Sequence, residues 1–460
     1  MVAMSPSRLG RRSFAIGACA TALAGCTTRK ALESPPRPPA RRVIVISIDG
    51  LRPEYLRDAD AMGLRTPNLR RLRAEGSSAD GVVTVWPSVT YPAHTTMVTG
   101  VRPAKHGIAT NYPFDPLRAT QGAWLWYSEA ITARTLWTAA REAGLTTGAV
   151  YWPVTVGAPI DWNLPQIWRT KTDHDDQLLR ALSTPGMARA MERVTGQLPA
   201  EHRSDAVRAK GAAWVVREKQ PHLMLAYLTD LDSVQHEHGP FTPAARATLE
   251  LIDDGVGRII EAARAAGTLD QTTFVVVSDH GFLPVTKMVR PYVLLAREGL
   301  VDLDQKVVRG WRAAPVPCGG TCAIMLSDPR DDALRAQVQG VLAKAAADPA
   351  LGIRKVHTEA EMLPREGFAG AAFVLEAETG FEYSWSTDGP IVGPSDHGGT
   401  HGYPPERTEM HASLMFSGAG VKKGAPLGIV QLVDVAPTIA RMLGLSLPDA
   451  EGTVLESALA

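Results

Sequence analysis

Five runs of apolar residues, each about as long as a β-strand, constrain the fold of this 460-residue chain more than any other feature. They span residues 43–48, 147–152, 223–228, 274–277 and 413–416. Several are apolar throughout and do not alternate with polar residues, which is typical of strands buried on both faces. The sequence therefore predicts a mainly parallel central sheet that is covered on both sides.

Helical patterns lie between these runs and can supply the cover. They occupy residues 130–143, 243–266 and 433–445. In the second pattern, Thr242 stands where an N-cap is expected and Pro243 takes the first helical position. The alternation of strands and helices predicts an α/β sandwich, with the sheet flanked by helices.

A second strand–helix–strand pattern interrupts the chain before the last apolar run. It comprises a strand at 321–326, a helix at 331–347 and a strand at 354–357. We interpret it as a smaller inserted α+β subdomain at residues 291–389, within a core formed by residues 41–290 and 390–455. Cys318 and Cys322 flank two glycines in this region, where two unpaired thiols are favoured over a disulfide.

The first 40 residues have the pattern of a targeting signal and a tether. Arg11 and Arg12 precede a short apolar run and resemble a twin-arginine export signal, while the sequence LAGC ending at Cys26 resembles a bacterial lipobox. We interpret residues 1–26 as a lipoprotein signal, with lipidation at Cys26, and residues 27–40 as a Pro-rich tether. A cleaved signal with an incidental cysteine is the alternative. We therefore expect an exported, periplasmic lipoprotein anchored to the membrane.

The charge balance of the chain gives no support for binding to nucleic acid. Lys and Arg together number 48, as do Asp and Glu, so the whole chain is formally neutral. Three arginines lie in the first 25 residues, and the remainder has a net charge of about −3. Because this balance provides no bulk attraction for a phosphate backbone, we expect no binding to a nucleic-acid duplex.

Polar residues follow several apolar runs, where open α/β sheets bind their ligands. Three aspartates and three histidines lie at these points or in the late GGTHG segment: Asp49, Asp232, His236, Asp279, His280 and His401. Taken singly, each is typical of a turn, cap or surface residue. Together they offer six oxygen and nitrogen ligands, which suits two borderline cations such as zinc with open positions for substrate.

The segment TVWPSVTYPAHTTMVTG, at residues 84–100, supplies a candidate nucleophile. Thr90 lies near the N-terminus of a helix predicted at residues 93–98, where backbone N–H groups and the helix dipole favour a phosphate. A threonine hydroxyl becomes a nucleophile only when a base or a metal ion lowers its pKa. An ordinary N-cap threonine is the alternative role.

With these residues in place, the chain resembles the nucleotide pyrophosphatase/phosphodiesterase family (type I phosphodiesterases) of the alkaline phosphatase superfamily. The matching motifs occur in the family's order: VIVISIDGLRPEYL, PSVTYPAHTTMVTG, KHGIATN, DSVQHEHGP, VSDHG and GTHGY. The final VDVAPTIARMLGL is similar to the last helix of the superfamily. The resemblance covers roughly residues 41–445 and implies an alkaline-phosphatase-like fold.

The resemblance also implies two Zn²⁺ ions per chain. One ion would be bound by Asp232, His236 and His401. The other would be bound by Asp49, Asp279 and His280, with Thr90 alongside. Three further polar residues, Asp230, His238 and His397, match no ligand position and are expected to lie around the site or at the surface.

Three substrate contacts follow from the same resemblance. Asn111 would donate a hydrogen bond to a phosphoryl oxygen, with a turn residue as the alternative role. Tyr91 and Tyr227 would form an aromatic slot for a base or another leaving group, with ordinary packing as the alternative.

The implied activity is zinc-dependent hydrolysis of phosphodiesters, of the nucleotide pyrophosphate or phosphodiester type, through a phosphothreonine intermediate on Thr90. The substrate would be a small phosphate ester such as a nucleotide. A phosphomonoesterase and a phosphonoacetate hydrolase are alternatives with the same two-zinc site. A non-catalytic, surface-anchored binding protein on a decayed enzyme scaffold is the alternative of another class. The segment around Thr90 lacks the Cys-x-Pro-x-Arg or Ser-x-Pro-x-Arg pattern of sulfatases, which weighs against that activity.

Overall fold

The computed structural model describes residues 41–120, 123–169, 173–199, 203–365 and 367–460. The predicted signal, tether and lipidated Cys26 lie outside these residues. Within them, no helix combines the length and the apolar character that a membrane span requires. Contacts group the described residues into one compact unit.

The strands are β1 Arg42–Ile48, β2 Ser77–Ser78, β3 Gly81–Val83, β4 Thr147–Val150, β5 Trp162–Leu164, β6 Leu223–Leu228, β7 Thr272–Val277, β8 Leu283–Val289, β9 Val301–Asp304, β10 Val307–Trp311, β11 Ala313–Cys318, β12 Thr321–Leu326, β13 Ile353–Thr358, β14 Phe373–Ala377, β15 Gly380–Tyr383, β16 Val392–Pro394, β17 Gly399–Thr400, β18 Leu414–Gly418 and β19 Ile429–Gln431. The α-helices are α1 Pro53–Arg57, α2 Pro67–Glu75, α3 Thr90–Thr99, α4 Pro103–His106, α5 Leu136–Glu142, α6 Asp173–Leu182, α7 Met187–Thr195, α8 Asp205–Lys219, α9 Asp230–His238, α10 Pro243–Ala265, α11 Pro291–Arg297, α12 Asp332–Ala346, α13 Glu359–Met362 and α14 Val435–Leu443.

The central sheet has seven strands in the order β2-β18-β7-β1-β6-β4-β5. The five strands from β7 to β5 run parallel, and β18 and β2 close one side with antiparallel pairings. Helices α2, α8 and α10 form one group against the sheet, and α3, α5 and α14 form another. The predicted α/β sandwich with a mainly parallel sheet is therefore confirmed.

Most predicted elements are present with slightly different ends. The strand predicted at 223–228 is β6, and Thr242 caps α10 by accepting the N–H of Ala245. The strand predicted at 147–152 ends at residue 150, because Tyr151 adopts a positive φ of 66° and leaves the sheet. The helix predicted at 130–143 begins only at residue 136, where the hydroxyl of Thr135 accepts the N–H of Thr138 and caps it.

The region predicted as an inserted subdomain contains a sheet of its own. Strands β11, β12, β14 and β13 form an antiparallel sheet with α12, and its residues share a hydrophobic cluster separate from that of the central sheet. This matches the expected smaller α+β part. Its boundaries at residues 291 and 389 stay a prediction.

Cys318 and Cys322 are buried free thiols, one on each arm of the β11–β12 hairpin. Cys318 pairs with Thr321, whereas Cys322 pairs with Pro317. Successive residues of a strand point to opposite faces, so these two thiols lie on opposite faces of the hairpin. A disulfide between them would require the backbone to rearrange, which accounts for the unpaired state.

Candidate active site

Three neighbouring parallel strands bring acidic residues to one edge of the central sheet. β1 is hydrogen-bonded to β6 and β7, in a register that sets Ile48 opposite Leu228. Asp49 follows β1 directly, Asp279 lies two residues after β7, and α9 begins two residues after β6. Because the strands end at nearly the same level, the polar residues that follow them lie together.

The outer group of the site consists of Asp232, His236 and His401. Asp232 and His236 are one turn apart on α9, and Asp232 Oδ1 lies 3.5 Å from His236 Nε2. His401 follows β17, and its Nε2 lies 3.7 Å from the same oxygen. These side chains remain 10% to 28% exposed, so a ligand can reach them.

The inner group consists of Asp49, Asp279 and His280, all of which are buried. His280 Nε2 lies 3.3 Å from Asp49 Oδ1 and 3.3 Å from Asp279 Oδ2. His280 also forms a second candidate metal-binding set with Asp232 and His401. Its ring stacks on that of His401, with 3.6 Å between centroids. The geometry therefore differs from the expected division into two separate sets, because His280 lies between them.

Hydrogen bonds to the backbone fix the orientation of all three imidazoles. Each Nδ1 lies beside a carbonyl oxygen: His236 at 3.0 Å from Gly399, His280 at 3.1 Å from Gly281 and His401 at 2.8 Å from Ser88. Since a carbonyl only accepts, Nδ1 carries the proton and Nε2 presents a lone pair. Metal-binding histidines are commonly oriented in this way.

The inner group fits a bound cation. Among the described residues, Asp49 Oδ1, Asp279 Oδ2 and His280 Nε2 are buried and have no hydrogen-bond partner. Burial, and then the charges of Asp232 and Asp279, raise the pKa of Asp49 well above its usual value. Burial likewise lowers the pKa of His280 well below its usual value. A nitrogen lone pair that faces carboxylate oxygens in a buried site is energetically costly unless a cation binds between them.

Tyr227 is a hydrogen-bonding partner of the inner group. Its hydroxyl donates a hydrogen bond to Asp49 Oδ2, and its ring is buried. Burial, and then the charges of Asp49, Asp279 and Asp232, raise the pKa of Tyr227 well above its usual value, so the phenol keeps its proton. Tyr227 lines the cavity described below, but its polar end orients a carboxylate.

The expected aromatic slot differs from the observed one. Tyr91 is completely buried and packs with Ile108 and Val154, behind Trp124. It does not line the cavity. Tyr91 therefore packs in the core, as the alternative role had it, because the first turn of α3 directs its side chain inward.

Thr90 is the first residue of α3, and its neighbour Val89 is the N-cap. It is 8% exposed and lines the same cavity as Asp49, Asp232 and His401. The helix begins three residues earlier than predicted. Thr90 is thus not an N-cap threonine, and its position at the helix N-terminus suits a phosphate-binding role.

A cavity of about 430 Å³ is lined by the outer group and by Asp49 of the inner group. It is also lined by four aromatic residues in contact with one another, which form an aromatic wall: Tyr112, Trp124, Trp168 and Trp385. Ring centroids lie 4.6 Å apart for Tyr112 and Trp124, and 5.2 Å apart for Trp124 and Trp168. Most of this wall comes from irregular segments without apolar periodicity, which is why sequence patterns did not indicate it.

The remaining predicted residues lie around the cavity. Asn111 lines it, and its Oδ1 accepts the N–H of Tyr91, which leaves Nδ2 as the atom that can donate to a ligand. Asp230 binds the buried Arg208, and His397 binds Glu382 at 3.0 Å. His238 is exposed. Asp230, His397 and His238 therefore belong to neither the inner nor the outer group.

The chain is similar in sequence to known proteins. A family model described as type I phosphodiesterase/nucleotide pyrophosphatase matches residues 43–404. Ectonucleotide pyrophosphatase/phosphodiesterase family member 1 of Rattus norvegicus is 27% identical over 259 residues, which are 54% of this chain and 24% of that protein. Family member 5 of Homo sapiens is 26% identical over 278 residues, which are 58% and 48%. The matched part thus spans half or less of these relatives' length.

A solved structure supports the fold. Murine ectonucleotide pyrophosphatase/phosphodiesterase 5, an inactive threonine-to-alanine variant in complex with AMP, matches with a TM-score of 0.66 at 19% sequence identity. The match covers 91% of this chain and 100% of that chain. The predicted alkaline-phosphatase-like fold is confirmed by this likeness.

Zinc should stabilise the folded chain through the inner group. A ligand that binds only the folded state at about 100 times its Kd contributes about 2.7 kcal/mol. We expect Zn²⁺ to raise the Tm of chelator-treated protein, and Asp49→Asn to remove the part of that rise that the inner group provides. Asp253 is a matched control, because it is a buried carboxylate that accepts the N–H of Leu69 away from the cluster. Asp253→Asn should lower Tm but keep the zinc-dependent rise. An equal rise in Asp49→Asn would contradict the assignment.

Proposed function

The chain belongs to the type I phosphodiesterase/nucleotide pyrophosphatase family, and we propose that it hydrolyses phosphodiesters of the nucleotide type in a zinc-dependent reaction. The proposed intermediate is a phosphothreonine on Thr90. One observation carries this proposal: a helix-terminal hydroxyl, four of the six candidate ligands and an aromatic wall line one cavity, and the other two ligands, Asp279 and His280, lie buried beside Asp49.

We assign two Zn²⁺ ions to the site, as the mixed oxygen and nitrogen donors favour. The first is assigned to Asp232, His236 and His401. The second is assigned to Asp49, Asp279 and His280, with Thr90 beside them. When bound, the ions would lower the pKa of the Thr90 hydroxyl and offset the negative charge that develops on phosphate oxygens.

The residues of the chain define the steps. Thr90 Oγ forms a bond to phosphorus, while the bond to the leaving oxygen breaks and that oxygen takes up a proton. The first N–H groups of α3 and Asn111 Nδ2 donate to the non-bridging oxygens. Water then attacks the phosphothreonine, and the bond to Thr90 Oγ breaks to restore the hydroxyl.

The aromatic wall supports a flat organic group as one ester substituent. Indole and phenol rings bury large areas and stack on planar rings. The murine structural neighbour is described as inactive with a threonine changed to alanine and in complex with AMP, which supports both a nucleotide substrate and a threonine nucleophile here.

Charge favours a diester over a monoester. The described residues that line the cavity include Asp49, Asp232 and Glu382 but neither lysine nor arginine. A monoester carries about 1.5 to 2 negative charges near neutral pH, whereas a diester carries one. With neither lysine nor arginine among these residues to offset the additional charge, a diester or a pyrophosphate linkage attached to a flat group fits best. The same argument disfavours phosphonoacetate, which adds a carboxylate.

Turnover of bis-p-nitrophenyl phosphate against p-nitrophenyl phosphate tests the proposal on the zinc-loaded protein. We expect kcat/KM for the diester to exceed that for the monoester by about tenfold or more, equivalent to about 1.4 kcal/mol. A preference for the monoester would move the function to phosphatase. Failure on both esters would contradict the hydrolase.

Variants of Thr90 provide the control for that experiment. Thr90→Ala should retain the Tm and the zinc content but lose turnover, because the attacking oxygen is gone. Thr90→Ser retains a hydroxyl and should retain measurable turnover with a phosphorylated serine. Full activity of the alanine variant would exclude Thr90 as the nucleophile.

We also propose that the chain is exported by its twin-arginine-type signal and anchored in the periplasm through lipidated Cys26. The support is the LAGC sequence followed by a Pro-rich stretch. A membrane-anchored enzyme of this kind would act on small substrates outside the cytoplasm.

Fractionation of bacterial cells that express the full chain tests the anchor. Cys26→Ser should move the protein from the membrane fraction to the soluble fraction, because the acylated residue is removed. Cys19→Ser lies in the same signal and should leave the distribution unchanged. Membrane association of the Cys26 variant equal to that of the wild type would rule out lipidation at this residue.

A further inference from the structure

We propose that His94 is a positioning residue that fixes the nucleophile-bearing end of α3 against the inner group. This inference rests on the proposed function of Thr90. His94 lies one helical turn after Thr90 and is completely buried.

Both ring nitrogens of His94 have separate partners. Nδ1 lies 2.8 Å from the carbonyl oxygen of Thr90, and Nε2 lies 2.9 Å from Ser47 Oγ. Since a carbonyl only accepts, Nδ1 donates to Thr90, and Nε2 accepts the hydroxyl proton of Ser47. One neutral imidazole therefore links the first residue of α3 to β1, two residues before Asp49.

The His94 ring also lies close to the inner group. Nδ1 lies 3.6 Å from Asp279 Oδ2. The ring packs edge-on against Tyr227, with 4.3 Å between centroids, and Tyr227 in turn donates to Asp49. His94 thus contacts α3, β1, β6 and the end of β7, the four elements whose spacing determines where Thr90 stands relative to the carboxylates.

Positioning of this kind affects turnover more than substrate binding. Displacement of a reacting group by about 1 Å can cost on the order of 100-fold in rate. A buried histidine with satisfied hydrogen bonds could equally serve stability alone. The two roles can be separated because each nitrogen has its own partner, and amide side chains can replace one nitrogen at a time.

Two amide variants form the test. The amide nitrogen of His94→Asn stands close to the place of Nδ1 and can still donate to Thr90, whereas the longer amide of His94→Gln reaches the place of Nε2 and Ser47. We expect His94→Asn to keep kcat for bis-p-nitrophenyl phosphate within about threefold of the wild type, and His94→Gln to lose about tenfold or more. KM should change by less than about twofold in both.

His106 is the matched control. It is also completely buried, its Nε2 lies 3.1 Å from Thr96 Oγ1, and its Nδ1 accepts the N–H of Ile108. Its side-chain contact with α3, at Thr96, lies more than one helical turn beyond Thr90. His106→Asn and His106→Gln should lower Tm to a similar extent as the His94 variants and leave kcat close to that of the wild type.

The outcomes distinguish this inference from the proposed function. An active wild type with the expected difference between the two His94 variants supports both. If the two variants lose kcat equally, or in proportion to their loss of Tm as the His106 variants do, the positioning role is overturned and the proposed function stands. If the wild type turns over no diester, both are overturned.

Discussion

The burial of carboxylates against neutral imidazoles is the constraint on which the rest of this structure depends. Asp49 and Asp279 are essentially without solvent contact, and burial of an uncompensated charge costs several kcal/mol. The fold offsets part of this cost with oriented donors: the N–H groups of Gly50 and His280 donate to Asp279 Oδ1 at 3.2 and 3.1 Å, and Tyr227 donates to Asp49. The carboxylate oxygens that lack such donors face His280 Nε2. A bound cation explains why the fold keeps this costly arrangement.

The central sheet and the inserted sheet both contribute to this cluster. Parallel pairing of β1 with β6 and β7 brings Asp49, the start of α9 and Asp279 to the same edge of the sheet. The turn of the β11–β12 hairpin packs on the segment that carries His401, where the N–H of Gly320 donates to the His401 carbonyl at 2.8 Å. A Cβ on Gly319 would come within 2.1 Å of the same oxygen, so only glycine allows this approach. The outer group therefore depends on contact with the inserted region.

Sequence patterns predicted the parts of this site that follow regular elements. The aspartates after β1, β6 and β7 lie at strand ends, and a four-residue spacing on a helix brought Asp232 and His236 together. The patterns did not indicate the aromatic wall, because Tyr112, Trp124 and Trp385 lie in irregular segments that converge through tertiary packing. The family resemblance implied a substrate contact for Tyr91, since a position next to Thr90 does not reveal which face of α3 is buried. His94 could have been identified from the sequence, because it follows Thr90 by one helical turn.

Anomalous diffraction at the zinc absorption edge, from crystals grown with Zn²⁺, tests the central claim most directly. The account predicts two peaks in the cavity, one in contact with Asp49, Asp279 and His280, and the other in contact with Asp232, His236 and His401. Thr90 Oγ should lie beside the first peak. Crystals of folded, zinc-saturated protein that show no peak at the inner group, or peaks only at surface histidines such as His238, would contradict it.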